Sequence, residues 1–162
     1  MFVRSLYDVF DLRENLLSTV IQRSALLFHS AERMYDLVND VAAYPQFVDH
    51  CMASEVLEHS DTHMLATLSL EKAGVALSFT TRNQLTRPSQ IVLQLEQGPF
   101  ANFTGRWQFT PLREGACKVS LFIEFQISSA LSSRVASSIL ESVSHSLVDA
   151  FCVRADALYG KA

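Results

Sequence analysis

The sequence predicts an α+β domain in which a curved antiparallel sheet of about six or seven strands wraps around a long C-terminal helix. Two short helices follow the first strand. Three observations carry this prediction. From Leu131 to Leu158 apolar residues recur at three- and four-residue steps, with no Pro or Gly to interrupt them. From Ala53 to Gln126 the apolar period changes to two, and Gly or Pro breaks it every ~12–15 residues. The chain has 162 residues, 49% of them hydrophobic. That is enough to bury a core, yet no window holds the ~18 consecutive apolar residues of a membrane span.

Thr19 to Phe28 is β-branched and apolar with Gln22, Arg23 and Ser24 interspersed, which reads as the first strand. Ser30 is placed to cap a helix, and Glu32 puts a negative charge in its first turn. Met34, Leu37, Val38 and Val41 make that helix amphipathic, with an end near Asn39 and Asp40. Pro45 is expected to force Tyr44 out of helical geometry. Tyr44-Pro45-Gln46-Phe47-Val48, followed by Asp49-His50-Cys51, therefore reads as a rigid, partly apolar corner.

The strands follow. Met64, Ala66, Leu68 and Leu70 share one face, and Lys72-Ala73-Gly74 turns the chain. Val75, Leu77 and Phe79 share the next face, alternating with Ala76, Ser78 and Thr80, and the strand runs on through Thr81, Arg82 and Asn83 before Arg87-Pro88-Ser89 breaks it. Ile91, Leu93 and Leu95 form another strand, ended by Gly98-Pro99. Phe103, Gly105, Trp107 and Phe109 alternate with polar residues, Pro111 and Glu114-Gly115 turn the chain, and Cys117, Val119, Leu121, Ile123 and Phe125 close the meander. One apolar face per strand describes a sheet with one wet side. In the terminal helix Leu140, Val143, Leu147, Phe151 and Leu158 share a face that Ala136, Ala150 and Ala155 widen, while Ser133, Ser137, Glu141, Ser144 and Arg154 form a solvated face. At ~1.5 Å per residue it runs roughly 40 Å, the partner that the apolar side of the sheet requires.

Composition narrows the function. The net charge is −4 and the 13 Lys and Arg form no run, which gives no support to binding of a nucleic-acid phosphate backbone, and no DNA partner is expected. Cys51, Cys117 and Cys152 show no metal-ligand or redox spacing and read as reduced thiols of a cytoplasmic protein. Residues 1–17 lack the apolar core of a secretory signal and carry Asp8, Asp11 and Glu14. They are set apart as an N-terminal extension, and the domain is expected over residues 18–160.

Several stretches carry a family likeness. They are Met34-Tyr35-Asp36-Leu37-Val38-Asn39-Asp40-Val41 with Tyr44-Pro45-Gln46-Phe47, then Lys72-Ala73-Gly74, and Phe79-Thr80-Thr81-Arg82-Asn83-Gln84-Leu85. Gly98-Pro99-Phe100, Gly105-Arg106-Trp107-Gln108-Phe109-Thr110-Pro111 and Ala150-Phe151-Cys152-Val153-Arg154-Ala155 complete the set. In order and spacing these resemble the START-like superfamily of helix-grip proteins, which includes polyketide cyclases and dehydrases. Within it they resemble the family of RatA ribosome-association toxins and coenzyme-Q-binding proteins. Where many relatives carry a second proline after the corner, this chain has Asp49.

The resemblance implies two roles. One is non-enzymatic binding of a prenylated quinone such as ubiquinone between helix and sheet, in support of respiration and with transient membrane contact. The other is a toxin that binds the large ribosomal subunit and blocks subunit association. A cyclase or dehydratase is a weaker third. A hydrophobic ligand needs apolar lining and a few orienting polar atoms, not a reactive group. Tyr44, Phe47, Leu68, Leu77, Phe79, Phe100, Phe103, Trp107, Leu140, Val143, Leu147 and Phe151 are candidates for that lining, and Arg82 for a head-group contact or, equally, for an ion pair with Glu124 or Glu96. Trp107, near Tyr44 and Phe47, marks the expected head-group region. Arg87 and Arg106 are the candidates for ribosome contact, and Asp49-His50 is the best-placed acid/base pair. No metal spacing or nucleophile motif accompanies them, so no catalytic residue, metal or required cofactor is expected.

Overall fold

The computed structural model describes residues 18–127 and 133–161. The expected extension over residues 1–17, and Leu131 and Ser132 at the start of the expected terminal helix, lie outside the described residues. Strand β1 (Thr19–Leu27) leads into helix α1 (Ala31–Asn39) and a 3-10 helix (Val41–Gln46). Strands β2 (Cys51–His59), β3 (His63–Lys72), β4 (Val75–Thr86), β5 (Gln90–Gln97), β6 (Phe100–Arg113) and β7 (Ala116–Ile127) follow, and helix α2 (Ser133–Tyr159) ends the fold.

The seven strands form one sheet in the order β1-β7-β6-β5-β4-β3-β2, antiparallel throughout. The meander follows from its turns. Ala73 and Gly74 both hold positive φ, at 52° and 78°, which matches the right-handed twist of the strands they join and sets Lys72 opposite Val75. β1 enters last in space, beside β7. The inward faces are mostly those that the alternation predicts: Met64, Ala66 and Leu70 on β3, Leu77 and Phe79 on β4, Trp107 and Phe109 on β6, and Val119, Leu121 and Phe125 on β7 are all buried, whereas Val75, the first residue of β4, stays exposed beside the hairpin turn.

α1 begins as expected, with the Ser30 hydroxyl accepting the Arg33 N–H at 3.2 Å. The corner after it differs from expectation. Tyr44 and Pro45 lie inside the 3-10 helix. Pro45 has no N–H to give, but the bonds that define the turn come from Ala43 and Phe47, donating to Asp40 and Tyr44.

α2 lies across the inner face of the sheet. It buries Ala136, Ile139, Leu140, Val143, Ser144, Val148, Phe151 and Ala155. The stripe is wider than the sequence suggests. Ser144, placed on the solvated face by its chemistry, is 1% exposed, because it sits one step from Val143 and one turn from Leu140. Leu158 is 52% exposed. The buried stripe ends at Ala155, so the last turn of the helix runs past the surface that it covers.

Candidate functional site

Helix and sheet do not close on each other completely. Between α2 and strands β3 to β7 lies a cavity of about 70 Å³. The curvature of the sheet brings Leu68, Phe79, Phe103 and Trp107 to it from below, α2 brings Leu140, Val143 and Leu147 from above, and the 3-10 helix brings Tyr44 to one end. These sequence-proposed residues share one lining.

The others do not reach it. On β4 the lining begins at Phe79 and continues to Asn83, so Leu77 is buried one step too close to the hairpin. Phe100 packs into an aromatic cluster, 5.7 Å from Phe79 and 5.9 Å from Phe125 between ring centroids. Phe151 is fully buried between Tyr44 at 5.3 Å and Trp107 at 5.4 Å, and is core rather than lining. Phe47 covers Phe151 from outside, and the Arg154 guanidinium stands 5.1 Å over its ring. Arg82 points to the outer face of the sheet, where it meets Glu96 at 3.3 Å and Glu58 at 3.6 Å. Period two makes this unavoidable: with Phe79 and Thr81 inward, Arg82 is outward.

Four polar residues, Asn39, Thr81, Asn83 and Ser144, were not among the candidates and belong to the lining. The Thr81 hydroxyl donates to the Asn83 side-chain oxygen at 2.8 Å, which leaves the Asn83 amide hydrogens to donate elsewhere. The Asn39 side-chain oxygen is buried without a hydrogen-bond partner. Continuing the alternation of Leu77 and Phe79 to positions 81 and 83 finds two of the four. Asn39 reads only as a helix end, and Ser144 as a surface serine.

The cavity is thus an apolar space with a neutral polar side. Among the described residues that line it none is a carboxylate, an imidazole or an amine. Tyr44, the one phenol, donates its hydroxyl to the Val38 carbonyl, and burial pushes its pKa far above the ordinary value. Asp49 lies away from this space, on a surface groove shared with Phe47 and Asp149. Cys51, Cys117 and Cys152 are free thiols, and burial pushes Cys117 and Cys152 up to about 11. Among the described residues no group of three or more His, Cys, Asp or Glu is arranged to hold a metal, and no helix is long and apolar enough to cross a membrane.

Of the proposed ribosome contacts, Arg87 is held by Asp36 through two hydrogen bonds of 2.9 and 2.8 Å. That pairing neutralises it. Arg106 stands on the outer face of β6, 5.9 Å over the Phe122 ring.

The family model described as polyketide cyclase / dehydrase and lipid transport matches residues 28–152. The chain belongs to this START-like family. Within it, the chain is similar to a ribosome association toxin RatA from Vibrio cholerae, 46% identical over 141 residues, which are 87% of this chain and 98% of that protein. A Xenopus laevis protein named coenzyme Q-binding protein COQ10 homolog B, mitochondrial, is 29% identical over 142 residues, 85% of this chain and 58% of that one. The structure of the Zhui aromatase/cyclase from Streptomyces sp. R1128 superposes with a TM-score of 0.75 at 17% identity, over 86% of this chain and 94% of that one. That likeness is one of fold, and a START-like fold carries many chemistries.

Proposed function

We propose that this chain acts on the ribosome, as a RatA-type factor that occupies the large subunit and keeps the small one from joining it. The likeness to RatA supports the reading, at 46% identity over 98% of the relative's length. The quinone-binding relative is matched at 29% over 58% of its length. Cavity size supports the same order. A space of about 70 Å³ falls well below the ~300–1,000 Å³ that encloses a drug-sized ligand. A prenylated quinone asks for more room than this form offers. Neither role requires the chain to catalyse a reaction.

The test is sedimentation of the purified chain with separated ribosomal subunits. The expected result is the chain in the large-subunit fractions and fewer joined particles when small subunits are added. A chain that stays at the top of the gradient, with joining unchanged, overturns the reading.

A second role rests on the polar side of the cavity. Asn39, Thr81, Asn83 and Ser144 suit a compact, uncharged ligand, about the size of one ring, that both accepts and donates hydrogen bonds. Native mass spectrometry with added short-chain quinone tests it, with a stoichiometric adduct expected and an empty protein against it.

A further inference from the structure

We propose that the outer face of β1, β7 and β6 is an RNA-binding strip and the surface through which this chain meets ribosomal RNA. The inference rests on the reading that the chain acts on ribosomes, and it names where. Three rows of residues cross this face in register: Gln22, Phe122 and Arg106; Ser24, Ser120 and Gln108; Leu26, Lys118 and Thr110. Past the last row the strand ends bring up Phe28, 62% exposed, with the Arg113 guanidinium 5.4 Å over its ring. A guanidinium on an aromatic ring therefore stands at each end, Arg106 on Phe122 and Arg113 on Phe28, with Lys118 between them. At ~3.4 Å per residue the strip from Arg106 to Arg113 runs roughly 24 Å.

Grouping sets this strip apart within an acidic chain. Among the described residues Arg106, Lys118 and Arg113 pair with no carboxylate, whereas Arg82 and Arg87 are both neutralised. Arg33, Lys72, Arg134 and Arg154 also form no ion pair, but they stand on α1, β3 and α2 and not on this face. No carboxylate lies within the three rows. The nearest in register are Glu124, one row beyond Phe122 and bonded by the Ser18 hydroxyl at 3.0 Å, and Glu114 in the turn beside Arg113. Apart from Leu26, the rest of the strip is Gln, Ser and Thr.

This is the chemistry of a sugar-phosphate chain with unpaired bases. The unneutralised cations meet phosphates, and neutral amides and hydroxyls bond phosphate oxygens, 2′-hydroxyls and base edges. An exposed aromatic such as Phe28, with its guanidinium, offers a stacking platform to a splayed base. A lipid surface fits less well, because the exposed apolar groups Leu26, Phe28 and Leu112 occupy only one end of a polar strip.

The test compares two double variants of equal charge change and one neutral truncation. Arg106→Glu/Arg113→Glu reverses the strip, Arg82→Glu/Arg87→Glu reverses cations outside it, and Phe28→Ala removes the stacking face without touching charge. Binding is read by sedimentation with large subunits and by anisotropy of a labelled single-stranded RNA, with thermal melts to show that each variant is folded. We expect the strip variant to lose at least about tenfold in affinity and to flatten the log–log salt slope by about two, one per phosphate contact. Phe28→Ala should weaken RNA binding at an unchanged salt slope, and the control should stay within about threefold of the parent.

If the parent sediments with subunits and both double variants bind equally well, the strip is wrong and the ribosome reading stands. If the parent ignores subunits yet binds RNA through the strip, the strip stands and the ribosome reading falls. Tighter binding to phosphatidylglycerol vesicles than to RNA, lost in the same variants, overturns the RNA assignment.

Discussion

Phe151 shows how much one aromatic residue joins in this molecule. It is fully buried, and its ring meets Tyr44, Phe47 and Trp107 edge-on at 5.3, 5.2 and 5.4 Å. It thereby ties α2 to the 3-10 helix and to β6 at once, each contact contributing beyond the area that it buries. Phe151→Ala should cost about 3–5 kcal/mol, read from urea unfolding midpoints at constant slope. A cost below about 1 kcal/mol would mean that the helix end packs more loosely than described. The Arg87–Asp36 pair makes the opposite case. Both side chains are half-exposed despite their short contacts, and such surface pairs are worth about 0–1 kcal/mol. Charge at a residue was easy to read from the sequence, and partnership less so: Glu96 was one of the partners open to Arg82, whereas nothing in Arg87 announces Asp36.

Elements were the most legible scale. Alternation along 64–125 predicted which residues of β3 to β7 face inward, because a strand has only two faces and burial uses one. The helix was harder, since a stripe of 3.6 periodicity has no sharp edge and Ser144 falls just inside it. The joint between β1 and α2 was not legible, for it depends on which strand α2 crosses. Arg23 of β1 contacts the His145 ring of α2. Burial, and then the Arg23 charge, hold His145 below its ordinary pKa of 6.5. As the pH falls the unfolded chain takes up that proton first, so stability is full above about pH 6.5 and declines below it. His145→Gln should lessen that decline between about pH 6.5 and 5, measured as the slope of melting temperature against pH. Equal slopes in parent and variant would remove His145 from the acid response.

At the scale of the whole molecule, the order of strand, short helices, meander and long helix was readable, and so was the existence of an apolar interior. The cavity was not. Its volume is a small difference between two large packed surfaces, and its polar residues look like a cap, a strand continuation and a helix surface when taken one at a time. Ser144→Val adds a methyl-sized group to that wall and removes its hydroxyl. If the space is empty in the working protein, the variant should gain about 0.5–2 kcal/mol, seen as a higher melting temperature, and should match the parent in any sedimentation with large subunits. A lower melting temperature would indicate that the hydroxyl serves an occupant.

The pairing of the first strand with the last has a consequence in time. The Ser18 hydroxyl reaches Glu124 across 106 residues of chain. At ~5–20 residues per second of synthesis, β1 waits roughly 5–20 s for β7, and the sheet waits longer still for α2 to cover it. Contacts this far apart in sequence form late and slowly. The outer strip of β1, β7 and β6 therefore comes into being only after β7 has been made, so the surface proposed to meet RNA is among the last parts of the sheet to assemble.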